Sequence, residues 1–144
     1  MYYVNREGIE RRLSSIPDVA DALNALAESW TGSLLEGLAQ ERALHLALEI
    51  VTDVGNFLID GFMMRDASSY EDIIEVIAGE GVISSEDEAT IKTLVHLRGP
   101  LVQDYDRWPR GELHPLTGSL SELLLRFEAD IREYLRKELD PWEK

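Results

Sequence analysis

Apolar residues recur along most of the chain at spacings of three and four, the period of an α-helix that buries one face. Sustained alternation of apolar and polar residues, which would predict half-buried β-strands, is absent. The chain is therefore expected to fold as an all-α bundle.

Residues that cap or interrupt helices predict where the first helices begin and end. Asn5 is placed to cap a first helix, and Pro17 suits the first turn of a continuation that ends near residues 30–32. Ser33 then opens a long helix that reaches about Met64.

Two further segments of the second half of the chain carry helix signals. Ser69-x-x-Asp72 resembles a capping box for a short helix that Gly79 stops. A last helix takes its apolar face from Leu116 to Leu135 and ends before Asp140-Pro141.

The helix between these two contains a proline. Ser85-x-x-Glu88 resembles a second capping box, and its apolar pattern continues to Leu101. Pro100 removes one backbone hydrogen bond and clashes with the preceding turn, so the helix is predicted to kink or restart near Arg98-Gly99.

The long segment from Ser33 to Met64 has an unusually wide apolar face on a helical wheel of about 100° per residue. Apolar residues occupy an arc about twice the roughly 100° that one bundle core requires. We therefore expect a second apolar partner, and a homodimer packed through this helix is the simplest one. The alternative is a central helix surrounded by its own chain. The remaining narrow sector holds His45, Glu49, Asp53, Asn56 and Asp60.

This polar sector has two interpretations. Glu49 and Asp53 lie one turn apart, where they can hold a cation or orient a neighbouring arginine. With His45 they loosely resemble metal-ligand spacing, but the Glu-x-x-His pairs of helical di-metal bundles are missing. A solvated or hydrogen-bonded face is favoured, so we expect no metal and no cofactor. We predict that His45, Glu49, Asp53 and Asn56 form a polar stripe that supports a functional site.

The composition is that of a single globular domain over residues 1–144, with 44% hydrophobic and 29% charged residues. The chain has no cysteine, which excludes disulfides, thiolate metal sites and cysteine nucleophiles. No apolar run is long enough to cross a bilayer, and the first seven residues lack the apolar core of a signal peptide. We expect a cytoplasmic protein that binds no membrane.

The net charge of −14 argues against general nucleic-acid binding, DNA included, because phosphate contacts depend on lysine and arginine. The charge is uneven, however. Residues 66–89 contain eight carboxylates and no basic residue, whereas residues 90–111 contain four basic residues and two aspartates. Chance variation on a solvated surface is the alternative explanation. The basic residues are Lys92, Arg98, Arg107 and Arg110.

This cationic stretch carries the most informative motif of the chain: Arg98, four residues, Gln103, one residue and Tyr105. The arrangement resembles the Arg-x4-His-x-Tyr motif of the HepT-like proteins, a branch of the HEPN superfamily of small helical ribonucleases. Residues 41–61 and 64–73 resemble that family's second helix and the loop into its third. The resemblance covers nearly the whole chain and is closest to a YutE-like branch.

The resemblance implies an up-and-down bundle of four or five helices that dimerises with two copies of the motif near the shared interface. It implies metal-independent cleavage of single-stranded RNA, in which the arginine stabilises phosphate charge and the histidine transfers the proton. It also implies a toxin that is silenced by a nucleotidyltransferase antitoxin, which attaches AMP to the motif tyrosine. By position, the catalytic-motif residues are Arg98, Gln103 and Tyr105, with Tyr105 also the modification site.

Gln103 departs from the motif at the residue that moves the proton. A glutamine amide donates and accepts hydrogen bonds but takes no proton at neutral pH. General acid–base help is typically worth about 10²–10⁴-fold, so cleavage is expected to be weak or lost. His96 is a poor substitute, because two positions from Arg98 on a helix it faces nearly the opposite side. Whether His45 or His114 approaches the motif depends on the fold.

Three functions follow from these observations. The first is a HepT-like ribonuclease toxin, weakened by Gln103, in a pair with a nucleotidyltransferase. The second is a non-catalytic dimeric module that uses the same polar groove for binding. The third, a metal-binding bundle built on His45, Glu49 and Asp53, has the least support.

Overall fold

The computed structural model describes residues 2–140, which form six α-helices and no β-strand. Only Ser14 and Ser15 separate the first helix from the second, so these two form one interrupted segment in a bundle of five. The all-α prediction is confirmed. The helices are α1 (Arg6–Leu13), α2 (Ile16–Ser29), α3 (Leu34–Gly61), α4 (Tyr70–Gly79), α5 (Ser85–His96) and α6 (Leu120–Leu139).

Three predicted capping residues are confirmed at the starts of α1, α3 and α4. Asn5 accepts a hydrogen bond from the Gly8 amide at 2.9 Å, and Ser69 accepts one from the Asp72 amide at 3.0 Å. Ser33 and Glu36 form a reciprocal capping box, and hydrogen bonds from Thr31 and Ser33 lower the pKa of Glu36 to about 2. Each cap satisfies an amide that the first helical turn leaves without a partner.

The predicted start of α5 is wrong by one residue. Ser84, rather than Ser85, is the capping residue, and its hydroxyl accepts from the Asp87 amide at 3.0 Å. Two adjacent serines both suit this position, so the local sequence leaves the register open by one residue. The observed register places Asp87 against Arg126 of α6, with 2.9 Å between Oδ1 and Nη2.

The predicted start of α6 is also wrong, because the helix begins at Leu120 rather than at Leu116. Residues 115–119 form turns, and Thr117 among them is buried and hydrogen-bonded to Gln40 of α3 at 2.7 Å. This contact between distant parts of the chain holds residues 115–119 in turns, although their apolar spacing continues the pattern of the helix. α6 ends at Leu139, and Pro141, which was predicted to stop it, lies outside the described residues.

The predicted break in α5 at Pro100 is confirmed. The α-helix ends at His96, and residues Gly99–Gln103 form a π-helical turn in which the Asp104 amide donates to the Gly99 carbonyl at 2.9 Å. A short 3₁₀ turn, Tyr105–Arg107, follows. Leu101, the last residue of the predicted apolar pattern, is buried in this turn. Wide turns of this kind often accompany functional sites.

Helix α3 lies at the centre of the bundle, in contact with α1, α2, α4 and α5. Eight residues of its wide apolar arc are buried and two are partly buried, so the same chain covers the arc. The central-helix alternative therefore explains the width of the arc, which by itself requires no second chain. The buried residues are Leu44, Ala47, Leu48, Ile50, Val51, Val54, Leu58 and Ile59, and the partly buried ones are Leu46 and Phe57.

The exposed leucines of α3 lie at its start. Leu34, Leu35 and Leu38 are 69%, 79% and 45% exposed.

Within residues 2–140, none of the helices has both the length and the hydropathy required to span a bilayer.

Candidate functional site

Arg98 follows the end of α5 and reaches across to α3. Its Nη1 donates to Glu49 Oε1 at 2.6 Å, although 49 positions separate the two residues. Its guanidinium carbon lies 4.2 Å from the centre of the Tyr70 ring, a cation–π contact with the first residue of α4. The arginine is thereby oriented by one carboxylate and one ring, while 30% of its side chain stays exposed.

The polar sector of α3 orients arginines. Glu49 binds Arg98, and Asp53 Oδ2 lies 3.5 Å from Nε of Arg12 on α1. Both carboxylates thus pair with arginines, which is one of the possibilities that the sequence left open. The metal interpretation gains no support, since residues 2–140 contain no group of three potential ligands placed to share an ion.

The three histidines lie in different surroundings. His45 Nε2 is 3.4 Å from Glu49 Oε1, so His45 and Arg98 contact the same carboxylate oxygen. His96 is paired with Glu71 instead, at 2.7 Å, as expected for a residue facing away from Arg98. His114 stacks on Trp108, and burial lowers the pKa of His114. His45 is therefore the histidine that the fold links to Arg98.

Gln103 and Tyr105 are both exposed, at the end of the π-helical turn and the start of the 3₁₀ turn. Tyr105 is 59% exposed, and within residues 2–140 its hydroxyl has no hydrogen-bond partner. Asn56, the last of the predicted supporting residues, lies exposed on α3 beside a shallow cavity that Tyr70, Ser68 and Ser69 also line. Tyr70 therefore lines this cavity together with Asn56 and also contacts Arg98.

The segment that follows the motif, residues 108–117, is fixed to the start of α3. Gln40 is fully buried, where it donates to the Glu112 carbonyl at 2.9 Å and accepts from the His114 amide at 2.8 Å. Gly37 is required here, because a Cβ atom would lie 2.2 Å from the Arg110 carbonyl oxygen.

Arg110 adds an ion pair to this attachment. It binds Glu41 through Nε and through Nη2, the second contact at 2.9 Å, and donates from Nη2 to the Tyr105 carbonyl at 3.4 Å. The ion pair raises the pKa of Arg110. Tyr105 is thus presented on a loop whose far end is tied to α3.

The sequence interpretation missed four of these residues: Tyr70, Gln40, Glu41 and Arg110. Glu41 continues the spacing of His45, Glu49 and Asp53 by one turn towards the start of the helix, which is the one available signal. The other contacts depend on how distant segments pack.

Solved structures of toxins from toxin–antitoxin complexes share the fold of this bundle. One is a tri-AMPylated HEPN toxin of Shewanella oneidensis in complex with an MNT antitoxin, with a TM-score of 0.74 at 16% identity over 87% of this chain and 96% of that one. Another belongs to a toxin–antitoxin complex with AMP-PNP, with a TM-score of 0.75 at 15% identity over 88% of this chain and 98% of that one. At these identities the likeness shows a shared fold.

The family itself is shown by sequence. Residues 9–112 match the ribonuclease HepT-like family, and the chain belongs to that family. It is 36% identical over 141 residues to "Putative RNase YutE" of Bacillus subtilis strain 168, covering 98% of this chain and 96% of the relative. The structure of YutE, described as a cytosolic protein of unknown function, has a TM-score of 0.85 over 99% of both chains.

Proposed function

We propose that this chain is the toxin-like member of a pair with a nucleotidyltransferase, that it binds single-stranded RNA through Arg98, and that it cleaves RNA weakly or not at all. The observation that carries the proposal is the geometry of Arg98. A cation held by Glu49 on one side and by Tyr70 on the other, yet 30% exposed, is preorganised to meet a phosphate oxygen.

Gln103 sets the limit on cleavage. It stands at the family's histidine position and is exposed on the same turn that follows Arg98. Its amide can hold a phosphate oxygen or a ribose hydroxyl by hydrogen bonds, but it cannot take the proton that leaves the attacking hydroxyl. Binding is therefore retained while proton transfer is lost.

Tyr105 is the proposed acceptor of AMP. Its ring is largely exposed, its hydroxyl lacks a partner within residues 2–140, and Arg110 holds its backbone. The Shewanella relative is described as tri-AMPylated and bound to an MNT antitoxin, which supports the same chemistry here. Co-expression with an MNT-type nucleotidyltransferase should add AMP to the wild type. Tyr105→Phe should lose the modification at that residue in peptide mass spectrometry.

We also propose that the chain forms a homodimer and resides in the cytoplasm, as the description of YutE as cytosolic suggests. The exposed leucines at the start of α3 supply an apolar surface for a second copy. Light scattering should then give twice 16.3 kDa, and Leu35→Glu should shift the protein towards monomer. A wild-type monomer at micromolar concentration would rule out the dimer.

The direct test of the cleavage proposal is a metal-free assay on single-stranded RNA. Wild type should cleave slowly or not at all, and Gln103→His should cleave about 10²–10⁴-fold faster. Arg98→Ala in the Gln103→His background should abolish the gain. If Arg98→Ala leaves cleavage intact, the reaction occurs at another site.

A non-catalytic binding module is the second candidate, and Gln103 is the observation that favours it. Both candidates use the Arg98 geometry to bind RNA, and they differ in the cleavage expected of Gln103→His. A folded Gln103→His variant that binds RNA without any gain in cleavage would mean that more than the proton-transfer group has been lost.

A further inference from the structure

A cavity of about 240 Å³ lies between α1 and α3, directly beside the Arg98 ion pair. Arg11, Arg12 and Ser15 line it from the end of α1 and the residues just after it. Glu49 and Asp53 line it from α3. Because Glu49 also binds Arg98, the cavity and the proposed phosphate site share one carboxylate.

The two arginines of this cavity differ in how they are held. Arg12 is fixed by Asp53 at 3.5 Å and by the Phe57 ring, whose centre lies 5.1 Å from the guanidinium carbon. Arg11 is exposed in the last turn of α1, and within residues 2–140 its side chain has no hydrogen-bond or ion-pair partner. Arg11 is therefore a cation available to a ligand, while Arg12 forms part of the wall.

The local charge distinguishes this surface from the rest of the chain. Two arginines and two carboxylates line the cavity, but Glu49 also binds Arg98 and Asp53 binds Arg12. Within residues 2–140 the charge of Arg11 is therefore left without a partner, in a protein whose net charge is −14. An anionic ligand is repelled by most of the molecule and attracted here. The cavity wall also includes two apolar side chains of α3, Leu46 and Ile50, which suit a sugar or a base better than a bare ion.

The geometry points to a second phosphate subsite for single-stranded RNA at Arg11 and Arg12, continuous with the site at Arg98. This inference rests on the proposed function and extends it from one phosphate to a path along α1 and α3. A strand that binds one phosphate at Arg98 would continue past Glu49 and bring a neighbouring phosphate to Arg11. Continuity with Arg98 favours RNA over an acidic protein segment.

The test measures binding rather than cleavage. Fluorescence anisotropy would follow a 2′-O-methyl octanucleotide and a 2′-O-methyl dinucleotide, neither of which can be cleaved, over a series of salt concentrations. Arg11→Ala should weaken octanucleotide binding about three- to tenfold and reduce the slope of log K against log salt by about 0.7, the value for one single-strand phosphate contact. Dinucleotide binding should not change, because the dinucleotide occupies Arg98 alone.

Lys137→Ala on α6 is the matched control, since it removes the same charge from an exposed position outside the cavity. It should leave octanucleotide binding within about twofold of wild type. If Arg98→Ala weakens binding but Arg11→Ala matches Lys137→Ala, the subsite is refuted and the proposed function stands. If the wild type binds neither oligonucleotide, the RNA-binding proposal fails together with the subsite.

Discussion

The motif segment, residues 98–105, and the anchoring segment, residues 108–117, each bring an arginine to a glutamate of α3, but under different conditions. Arg110 binds Glu41 through two nitrogens, and the Glu41 side chain is only 14% exposed. Arg98 binds Glu49 through one nitrogen, and the Glu49 side chain is 36% exposed. The comparison separates an arginine that holds the fold from one that is oriented for a ligand.

The difference follows from solvent access. A partly buried carboxylate has lost part of its hydration, so exchanging the Arg110 contact of Glu41 for a ligand would leave that carboxylate without a charged partner, at a cost. The Arg98–Glu49 pair has the more exposed carboxylate and a single contact, so it contributes less to stability and its arginine can bind a phosphate with a smaller loss. The same residue types therefore have different roles in the two segments.

The largest expected effect comes from Gln40 of α3, which holds the anchoring segment. Gln40→Ala removes the buried amide that binds residues 112, 114 and 117, and should lower the free energy of unfolding by about 2–4 kcal/mol. Gln103→Ala is the matched control at an exposed position and should stay within about 0.5 kcal/mol of wild type. Urea denaturation measures both, and equal losses would contradict the proposed anchor.

A smaller loss is expected at the glycine that lets the anchoring segment approach α3. Gly37→Ala gains up to about 1 kcal/mol of helix propensity but places Cβ 2.2 Å from the Arg110 carbonyl oxygen, an overpacking that costs about 1–3 kcal/mol. The clash should prevail, so urea denaturation should show a net loss. Gly99→Ala in the motif segment meets no atom within 4 Å and should show none.

Substituting Arg110 and Arg98 in turn tests the comparison by two measurements, stability and RNA affinity. Arg110→Ala should lower the urea midpoint more than Arg98→Ala does, because it leaves the less exposed carboxylate without its partner. Arg98→Ala should reduce RNA affinity more than Arg110→Ala does. If one of the two variants causes the larger loss both in the urea midpoint and in RNA affinity, the two arginines do not have separate roles.

The smallest effect concerns the loop that precedes Tyr70 and is measured by pH. Hydrogen bonds from Arg65 and Ser68 lower the pKa of Asp72 below its ordinary value of 3.8. A carboxyl with a lowered pKa contributes stability that is present above its ordinary pKa and is lost as pH falls towards its folded value. Asp72→Asn should therefore be less stable than wild type at pH 7 and approach it below pH 4. Asp66→Asn, which removes the same charge from an exposed position nearby, is the matched control.

The parts of the fold that sequence predicted are those set by neighbouring residues. Asn5, Ser33 and Ser69 cap helices through contacts three residues away, so the neighbouring sequence is sufficient to predict these caps. Pro100 likewise interrupts its own helix. The start of α6 was predicted wrongly because Thr117 is held by Gln40, 77 positions away.

The candidate site was predictable in part for the same reason. The helical wheel placed Glu49 and Asp53 in one polar sector and left open whether they hold a cation or orient an arginine, and in the structure both pair with arginines. It could not identify Arg98 and Arg12 as those arginines, because their contacts depend on how α1 and the end of α5 pack against α3. The cation–π contact of Tyr70 was hidden for the same reason.

The central claim, that Gln103 leaves an RNA-binding site without its proton-transfer group, is tested most directly by separating affinity from cleavage. Kd for a 2′-O-methyl RNA and the metal-free cleavage rate of the matching RNA should be measured for wild type and Gln103→His. We predict Kd values within about threefold of each other and a cleavage rate about 10²–10⁴-fold higher for the histidine variant. Wild-type cleavage as fast as that of Gln103→His would contradict the claim.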